Sequence, residues 1–466
     1  MSRPRVVIIG SGFGGLFSAK ALADADVDII LVAKTTHHLF QPLLYQVATG
    51  ILSPGEIAPP TREILKDQKN VTVLLSEVTA IDVENKKVEA EALGTVSSIS
   101  YDYLIVAAGA GQSYFGNDHF AVFAPGMKSI DDALELRARI FGSLEVAELT
   151  SDQEERERLM TFVVVGAGPT GVEMAGQIRE LTLHTVKDDY RRIDPRKARV
   201  ILLDGADRVL PPFGEHLSGK AKQTLEKLGV EVKLGGLVTD VDANGLTVKY
   251  KDGTEERIEA ACKVWAAGVQ ASPLAKMIAD QTEAQIDRAG RLEVQPDCSV
   301  PGHPEVFVIG DMMSLDKLPG VAQVAIQSGQ YVAKKIVGEV KGQPVVTPFK
   351  YFDKGSMAVI SKFGAVVKIG RIEMTGFVAW LAWLGLHLVT LTGFKARITT
   401  LAHWTIAFVS NARSERVTTR QQLVSRLAVK QLGDAYQPTI TGTLDPTVLD
   451  ERVDARNRRD TRPQEI

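Results

Sequence analysis

The apolar pattern opens with two short runs that a glycine-rich turn separates. Residues 5–9 and 27–32 are typical of buried parallel strands, and a helical segment over residues 16–23 lies between them. The turn after the first strand has the spacing G-x-G-x-x-G, with Gly10, Gly12 and Gly15. In such turns the first glycine permits a tight bend, the second lets the backbone approach a pyrophosphate, and the third lets helix and strand pack closely. The pattern predicts a βαβ dinucleotide-binding unit whose helix N-terminus offers N–H groups to an anion.

A second copy of this pattern follows about 150 residues later. Residues 162–165 form an apolar run that leads into Gly166, Gly168 and Gly171, and residues 199–204 form a second strand that ends in Asp204. An acid at this position binds a ribose 2′-hydroxyl and repels a 2′-phosphate, so NAD(H) is favoured over NADP(H). The alternative interpretation is a turn residue at the end of a strand. In the first unit Lys34 stands where this acid is expected, so the dinucleotide there would be held by backbone groups or by Lys34.

A third apolar strand, residues 306–309, ends in Gly310-Asp311, and such an aspartate can bind a ribityl hydroxyl of a flavin. Two more apolar strands end in small residues, one at Ala108-Gly109 and the other at Gly268. Small residues at these ends let the backbone pass close to a ligand. Together the patterns predict an α/β fold with two Rossmann-like dinucleotide-binding domains and therefore two nucleotide cofactors.

Composition, charge and cysteine content exclude several classes of protein. The 466 residues are 45% hydrophobic and 24% charged, which excludes a wholly disordered, collagen-like or multi-span membrane protein. The net charge of −3 gives no indication of nucleic-acid binding. Cys262 and Cys298 are the only two cysteines, which excludes a disulfide scaffold, a C-x-x-C redox pair and a four-cysteine zinc site. The four residues before the first strand leave no room for a signal peptide, so the reducing cytosol is predicted.

These motifs resemble those of the two-dinucleotide-binding-domain flavoproteins with the glutathione-reductase-like fold. The segment 322–327 reads A-Q-x-A-x-Q, which is similar to the motif of the type II NADH:quinone oxidoreductases. The resemblance implies FAD bound non-covalently at the first fingerprint and NADH as the substrate at the second. It implies hydride transfer to the flavin and electron transfer to ubiquinone or menaquinone, without proton pumping and with no metal ion. A disulfide reductase would need a cysteine pair beside the flavin, whereas no cysteine occurs between Gly10 and Cys262.

The resemblance also divides the chain. It implies a split FAD-binding domain over residues 1–118 and 298–345, an NADH-binding domain over 119–297, and a membrane-association domain over 346–430. Residues 431–466, rich in Gly, Pro, Thr and Asp before a mixed-charge end, are predicted to be a mobile tail.

The predicted site residues fall into three sets. The FAD-binding set is Gly10, Ser11, Gly12, Phe13, Gly14, Gly15, Lys34, Thr49, Val78, Ala108, Gly109, Asp311, Ala322 and Gln323. The NADH-binding set is Gly166, Gly168, Thr170, Gly171, Glu173, Asp204 and Gly268. The predicted catalytic residues are Glu173, Gln323, Gln327 and Lys354.

Each catalytic assignment has a structural alternative. Glu173 is predicted to relay a proton beside the nicotinamide and flavin, or else to be a first-turn acid that complements a helix dipole. Gln323 and Gln327 share one helix face and are predicted to line the quinone site, or else to be surface amides. Lys354 faces the flavin–quinone region or lies in a solvated loop. His37 and His38 are predicted to be structural or flavin-adjacent, because neighbouring side chains in an extended segment point apart and lack a third metal ligand.

The charge of the chain is uneven, and its most basic part holds its longest apolar run. Residues 346–430 contain twelve Lys/Arg and three Asp/Glu, and within them residues 374–394 carry no charge. Trp380, Trp383 and Trp404 are expected at a lipid interface, with the basic residues beside anionic headgroups. A monotopic association with the cytoplasmic face of the cell membrane is predicted. The alternatives are one transmembrane helix or a buried helix pair. A homodimer is also predicted.

Two other functions are compatible with the fold. The first is a soluble NADH-dependent flavin reductase or oxidase that uses another acceptor. The second is a non-enzymatic NADH-responsive flavoprotein that acts through partners. The basic apolar segment argues against the first alternative, and catalytic oxidation of NADH with a quinone analogue would exclude the second.

Overall fold

Parallel sheets, antiparallel meanders and helices make up residues 3–419, the part of the chain that this computed structural model describes. The predicted mobile tail, residues 431–466, lies outside the described residues. The strands are β1 (Arg5–Ile9), β2 (Asp28–Ala33), β3 (Val71–Leu75), β4 (Glu77–Asp82), β5 (Lys87–Ala92), β6 (Thr95–Ser100), β7 (Tyr103–Val106), β8 (Ala110–Gln112), β9 (Thr161–Val165), β10 (Arg199–Asp204), β11 (Val230–Leu234), β12 (Gly236–Val241), β13 (Gly245–Tyr250), β14 (Glu255–Glu259), β15 (Cys262–Trp265), β16 (Val269–Ala271), β17 (Leu292–Glu293), β18 (Ser299–Val300), β19 (His303–Val308), β20 (Met313–Ser314), β21 (Ser356–Ser361), β22 (Gly364–Ile369) and β23 (Ile372–Thr375). The α-helices are α1 (Phe13–Ala21), α2 (Leu44–Ala48), α3 (Pro54–Ile57), α4 (Thr61–Ile64), α5 (Phe120–Phe123), α6 (Ile130–Leu149), α7 (Gln153–Leu159), α8 (Pro169–Glu180), α9 (Glu215–Leu228), α10 (Leu274–Ala279), α11 (Ala322–Val340), α12 (Gly376–Thr390) and α13 (Phe394–Ser410).

The first parallel sheet contains the first predicted nucleotide-binding unit. Its strand order is β18-β19-β7-β1-β2-β3, and only the β18–β19 pair is antiparallel. The inner positions of β1, from Val6 to Ile8, are fully buried, as expected for a strand covered on both faces. Strands from both ends of the predicted split domain therefore share one sheet.

The second parallel sheet has the order β11-β10-β9-β15, and all of its pairs are parallel. Strand β10 has the bounds that the sequence predicts, including Asp204 at its end. An antiparallel meander accompanies each parallel sheet, β4-β5-β6 with the first and β12-β13-β14 with the second. The two sheets confirm the predicted α/β class with two Rossmann-like units.

The segment between residues 269 and 297 packs differently from the prediction that assigned it to the NADH-binding domain. Strand β16 pairs with β8, and β17 pairs with β20, so both join elements of the first unit. Leu274, Ile278 and Leu292 are buried in the core that surrounds the first sheet. The chain thus passes from the core around the second sheet to the core around the first sheet near residue 268, because it leaves the second sheet at the end of β15.

A third antiparallel sheet, β21-β22-β23, precedes the helix pair α12 and α13. Helix α8 packs directly on β21, since a Cβ on Gly176 would lie 1.8 Å from the carbonyl oxygen of Ile360. The helix pair shares a core with α2, α6 and α8. The C-terminal part of the described chain is thus joined to both nucleotide-binding units.

The predicted apolar run does not form one helix. Helix α12 ends at Thr390 after 15 residues, and α13 begins at Phe394. At 1.5 Å per residue, α12 is about 22 Å long, less than the roughly 30 Å of a bilayer core. Within residues 3–419, no helix has both the length and the apolar character to cross a membrane.

The tryptophans are placed differently from the prediction. Trp380, Trp383 and Trp404 are each 5% exposed or less. Trp383 packs against Trp404, and Trp380 and Trp404 both contact Phe408. The large apolar side chains that the helix pair does expose are instead aliphatic or phenylalanine residues. They include Phe377, Val378, Leu381, Leu386, Val389, Phe394, Ile398, Leu401, Ile406 and Val409. An uncharged run has no polar face, so its sequence did not indicate which residues face inwards.

Candidate functional site

The first glycine-rich loop joins β1 to α1, and each of its glycines is present for a different structural reason. Gly10 has a φ of +102°, and a Cβ there would lie 2.4 Å from the carbonyl oxygen of Ala107. A Cβ on Gly15 would lie 1.9 Å from the carbonyl oxygen of Gly10. At Gly12 a Cβ would meet no protein atom within 4 Å. The loop therefore closes tightly on protein at two glycines and faces open space at the middle one, where a pyrophosphate would approach.

His38 lies beside this loop. Its Nδ1 lies 2.9 Å from the carbonyl oxygen of Ser11, so Nδ1 donates that hydrogen bond and Nε2 is left as an acceptor. Burial lowers the pKa of His38 to about 4, which keeps the ring neutral. Within residues 3–419, Nε2 is buried without a hydrogen-bond partner. A buried acceptor of this kind fits a site at which a bound flavin provides a donor.

The ends of two strands, β7 and β19, converge on the first loop. Ala108 and Gly109 follow β7, and a Cβ on Gly10 would lie 3.3 Å from the Cα of Ala108. A Cβ on Gly14 would lie 3.1 Å from the side chain of Ile309, just after β19. Asp311 lies in the following turn, where burial raises its pKa. The carboxyl ends of parallel strands are where nucleotides bind in such sheets, so this group fits a flavin nucleotide.

The remaining predicted FAD residues surround this region less closely. Phe13 begins α1 and makes an edge contact with His38, with ring centroids 5.1 Å apart. Thr49 is buried, and its hydroxyl donates to the carbonyl oxygen of Tyr45 at 2.9 Å. Val78 is buried in β4, and Lys34 is exposed after β2. Their contacts with a cofactor stay predictions.

The second glycine-rich loop repeats the geometry of the first. Gly166 has a φ of +107°, and a Cβ there would lie 2.6 Å from the carbonyl carbon of Ala266. A Cβ on Gly171 would lie 1.7 Å from the carbonyl oxygen of Gly166, while one on Gly168 would meet no protein atom within 4 Å. Thr170 is half-buried in the first turn of α8. The second loop therefore offers the same open approach to a second pyrophosphate.

Asp204 and Gly268 lie close to this second loop and its neighbours. The Asp204 carboxylate accepts hydrogen bonds from the backbone N–H groups of Ala167, inside the loop, and Ala206. The carbonyl oxygen of Gly268 accepts a 2.7 Å hydrogen bond from Nε2 of Gln112. The structure thus brings Asp204 to the second loop, with both carboxylate oxygens bound to backbone N–H groups.

Glu173 lies in the second turn of α8, not in the first turn that the structural alternative required, because α8 begins at Pro169. Its side chain is buried, and burial raises its pKa to about 8. One carboxyl oxygen accepts a hydrogen bond from the N–H of Val359 in β21 at 3.3 Å. A carboxyl group that is largely protonated at neutral pH has the property required of a proton donor.

Gln323 and Gln327 lie in the first two turns of α11 and bind one loop segment. The amide of Gln327 donates to the carbonyl oxygen of Phe352 and accepts from its N–H, both at 2.9 Å. The amide of Gln323 donates to the carbonyl oxygen of Gly355 and accepts from the N–H of Lys354, both at 3.2 Å. The glutamines are therefore not free surface amides. The loop that they hold continues into Val359, the partner of Glu173.

Two further predictions concern α11 and its loop. The Lys354 side chain is exposed, and its position beside the flavin–quinone region stays a prediction. Ala322 begins α11 and is half-buried. A Cβ on Gly310 would lie 2.9 Å from the Cβ of Ala325, so the second small residue of the motif lets α11 approach the turn that carries Asp311.

Both cysteines lie in the core. Cys262 and Cys298 are fully buried, and burial raises the pKa of Cys298 to about 12. A thiol with such a high pKa is a poor nucleophile at neutral pH. Within residues 3–419, no group of three or more His, Cys, Asp or Glu side chains is arranged to hold a metal ion.

The sequence did not indicate a buried polar chain between α13 and α2. Nε1 of Trp404 donates to Oε1 of Gln46 at 2.6 Å, and Nε2 of Gln46 donates to the Tyr45 hydroxyl at 3.1 Å. Arg413, after α13, is also buried. A single buried polar residue has no periodicity, so only the three-dimensional arrangement reveals it.

Comparison with known proteins gives a consistent result at the levels of family and close relatives. Residues 4–329 match the model of the pyridine nucleotide-disulphide oxidoreductase family. The chain is 61% identical over 434 residues to the type II NADH:quinone oxidoreductase Ndh of Mycobacterium tuberculosis, covering 93% of this chain and 94% of that protein. It is 59% identical over 431 residues to NdhA of the same organism, with 92% of each chain covered.

Solved structures support the fold. The structure of NDH2 from Plasmodium falciparum in complex with NADH matches with a TM-score of 0.82 at 21% identity, covering 89% of this chain and 100% of that chain. A sulfide:quinone oxidoreductase from Aquifex aeolicus matches with a TM-score of 0.68 at 16% identity, covering 87% and 95% of the two chains. At these identities the likeness concerns the fold alone.

Proposed function

Because the chain belongs to the type II NADH:quinone oxidoreductases, we propose that it transfers electrons from NADH through bound FAD to a membrane quinone, without proton pumping. The observation that carries the proposal is the pair of glycine-rich loops, each with a middle glycine that faces open space. The chain that contains them is 61% identical to a type II NADH:quinone oxidoreductase. A homodimer stays a prediction.

The first loop would hold FAD, and the second would hold NADH. The open space at Gly12, the buried acceptor of His38 and the buried carboxyl of Asp311 support FAD at the first. When bound, FAD would supply the chemistry of accepting a hydride from NADH and passing two electrons to a quinone. Asp204 beside the second loop favours NADH over NADPH, because its charge would repel a 2′-phosphate.

The segment at residues 352–359, a loop that runs into β21, would bring the quinone and proton chemistry together. Gln323 and Gln327 hold its first part through backbone hydrogen bonds, and Glu173 binds its end at Val359. In this proposal the two glutamines position the quinone-side loop, and Glu173 holds a proton next to it. Lys354, whose side chain is exposed, would contact the quinone only on its way to the site.

The helix pair would place the protein on one leaflet of the membrane. Helices α12 and α13 expose at least ten large apolar side chains, and exposed apolar patches mark protein–protein or membrane interaction sites. Lys395 is exposed in the first turn of α13, where it can attract anionic headgroups. The cytoplasmic face of the cell membrane is the proposed location, and lipid-soluble quinone is the proposed acceptor.

The first prediction concerns the reaction. We expect the purified holoenzyme to show a flavin spectrum and to oxidise NADH with ubiquinone or menaquinone analogues, with NADPH at least about tenfold less effective. Steady-state rates with each donor and acceptor give the measurement. Rapid turnover with dioxygen but not with quinones would favour a soluble oxidase, and NADH binding without turnover would favour a non-enzymatic flavoprotein.

The second prediction concerns the membrane. Val389→Glu adds a charge at a side chain on α12 that is 68% exposed, and we expect it to reduce binding to anionic phospholipid vesicles about tenfold. Leu149→Glu is the matched control, since this residue ends α6 and is 74% exposed. Co-sedimentation with vesicles measures both variants. Equal binding by the wild type and both variants would contradict a role for the helix pair.

A further inference from the structure

Arg413 is a buried arginine whose guanidinium bridges two elements of the proposed site. It is 7% exposed and lies in the segment after α13. Nη1 donates to the carbonyl oxygen of Thr49 at 2.9 Å. Nη2 donates to both the carbonyl oxygen and the side-chain oxygen of Gln177, each at 3.1 Å. One planar cation therefore joins the end of α2 to the last turn of α8.

Helix α2 ends at a residue predicted to lie beside the flavin, and α8 carries Glu173, the proposed proton donor. Thr49 is the residue at which α2 ends and is predicted to lie beside the flavin. Gln177 lies four residues after Glu173, so both occupy the same face of α8. A change in the bridge would therefore alter the separation between the flavin-side helix and the carboxyl group of Glu173.

The charge of Arg413 is balanced through an amide. Nε2 of Gln177 donates to Glu180 at 2.7 Å, and Glu180 in turn accepts from the N–H of Lys362 in the loop after β21. The guanidinium also lies at the C-terminus of α2, where the helix dipole favours a cation. A buried cation costs free energy unless such groups compensate it. The sharing of hydrogen bonds thus explains how Arg413 is tolerated in the core.

The titratable groups around Arg413 lie on α2, on α8 and on the segment after α13. Tyr45 on α2 has a pKa raised by burial and by the negative charges of Glu173 and Glu180, while the positive charge of Arg413 opposes the rise. Burial lowers the pKa of Arg413 to about 10, so it stays a cation at neutral pH. Arg416, on the same segment, forms an ion pair with Asp189. Arg413 is therefore a buried cation whose charge acts on Tyr45 and Glu180.

We propose that Arg413 is a positioning residue for electron transfer to the quinone: its guanidinium fixes α2 against α8 and provides a permanent positive charge beside Tyr45 and Glu180. The inference rests on the proposed function. It adds a contribution from the C-terminal segment to the geometry and charge of the site, so that this segment does more than hold the protein on the membrane.

Three variants of the full-length holoenzyme test the inference. Arg413→Met removes the charge and the bridge. Arg413→Lys keeps the charge but lacks the fork that reaches both partners. Arg416→Met is the matched control on the same segment, because its ion pair is exposed. The measurements are the FAD content, the thermal midpoint, the KM for NADH, and kcat for a quinone analogue between pH 6 and 9.

We expect Arg413→Met to lower kcat at least tenfold. We also expect the fall of kcat at alkaline pH, the alkaline limb of the pH profile, to begin at a higher pH, since removal of a buried cation from the face of α8 that carries Glu173 favours the protonated form of this acid. Arg413→Lys should lower kcat while the limb stays in place, and Arg416→Met should leave kcat within about twofold. If Arg413→Met and Arg413→Lys lose thermal stability equally and keep the wild-type limb, the residue is merely structural and the inference fails. If either retains wild-type kcat, the inference also fails. Absence of quinone reduction by the FAD-loaded wild type would instead overturn the proposed function, and the inference with it.

Discussion

Gly12→Ala is expected to give a folded protein that retains less than about a tenth of the wild-type FAD. Gly12 is the N-cap of α1 with a φ of −68°, a conformation that alanine adopts without strain. An added Cβ would meet no protein atom within 4 Å. The methyl group would therefore occupy only the space through which the pyrophosphate approaches the helix N-terminus. The loss of FAD would report a clash with the cofactor and not a fault in the fold.

Gly168→Ala is the control built into the same chain. Gly168 caps α8 with a φ of −71°, and its Cβ would also face open space. We expect this variant to keep its FAD and to raise the KM for NADH at least about tenfold. Flavin absorbance per chain, the thermal midpoint of the apoproteins and NADH titration distinguish the two variants. If Gly12→Ala binds FAD normally, or if Gly168→Ala loses FAD instead of affinity for NADH, the assignment of the two loops is wrong.

The loops could be predicted from sequence because their requirements are local. Gly10 and Gly166 need a positive φ, and Gly15 and Gly171 leave no room for a Cβ. Each requirement concerns residues within one turn and a neighbouring strand, so the glycine spacing records it. The apolar strands before and after each loop are short and continuous, which is typical of strands buried on both faces.

The arrangement of the quinone-side loop depends on contacts that are distant in sequence. Gln323 and Gln327 bind backbone groups 25 to 32 residues further along the chain. Spacing alone indicated that the two amides share a helix face, but not which atoms they meet. A backbone acceptor has no sequence signature, since every residue has one. The motif therefore identified the residues without identifying the loop that they position.

The packing of the C-terminal helices could not be predicted from the sequence for a different reason. An uncharged run of 21 residues could form one long helix or two short ones, and Gly393, with a φ of +96°, interrupts it. After this run, Trp404 on α13 packs inwards and finds a partner for its N–H in Gln46, which lies 358 residues earlier. Burial of an aromatic N–H is favourable only when such a partner exists. This partner could not be inferred from the composition of the run.

Glu173→Gln is expected to lower kcat for quinone reduction about a hundredfold while FAD remains bound. The amide keeps the size of the side chain but carries no exchangeable acidic proton. Wild-type turnover should fall as the pH rises through about 8, where the buried carboxyl loses its proton, and the variant should lack this limb. Reduction of the flavin by NADH in a single turnover should change less than quinone turnover, because the proton is required on the quinone side.

The stability of the same variant distinguishes a relay from a structural acid. The pKa of Glu173 is higher in the folded protein than the ordinary value of 4.5, so ionisation opposes folding. The cost is absent below pH 4.5, grows between pH 4.5 and about 8, and then stays constant at a few kcal/mol, since each pKa unit corresponds to about 1.4 kcal/mol. Glu173→Gln should therefore unfold at a higher temperature than the wild type at pH 9 and still turn over more slowly. Glu148→Gln is the control, because Glu148 also accepts backbone N–H groups but has a lowered pKa. A Glu173→Gln variant that keeps wild-type turnover across this pH range would exclude the proton relay. Glu173 would then be a buried acid that only destabilises the fold at alkaline pH.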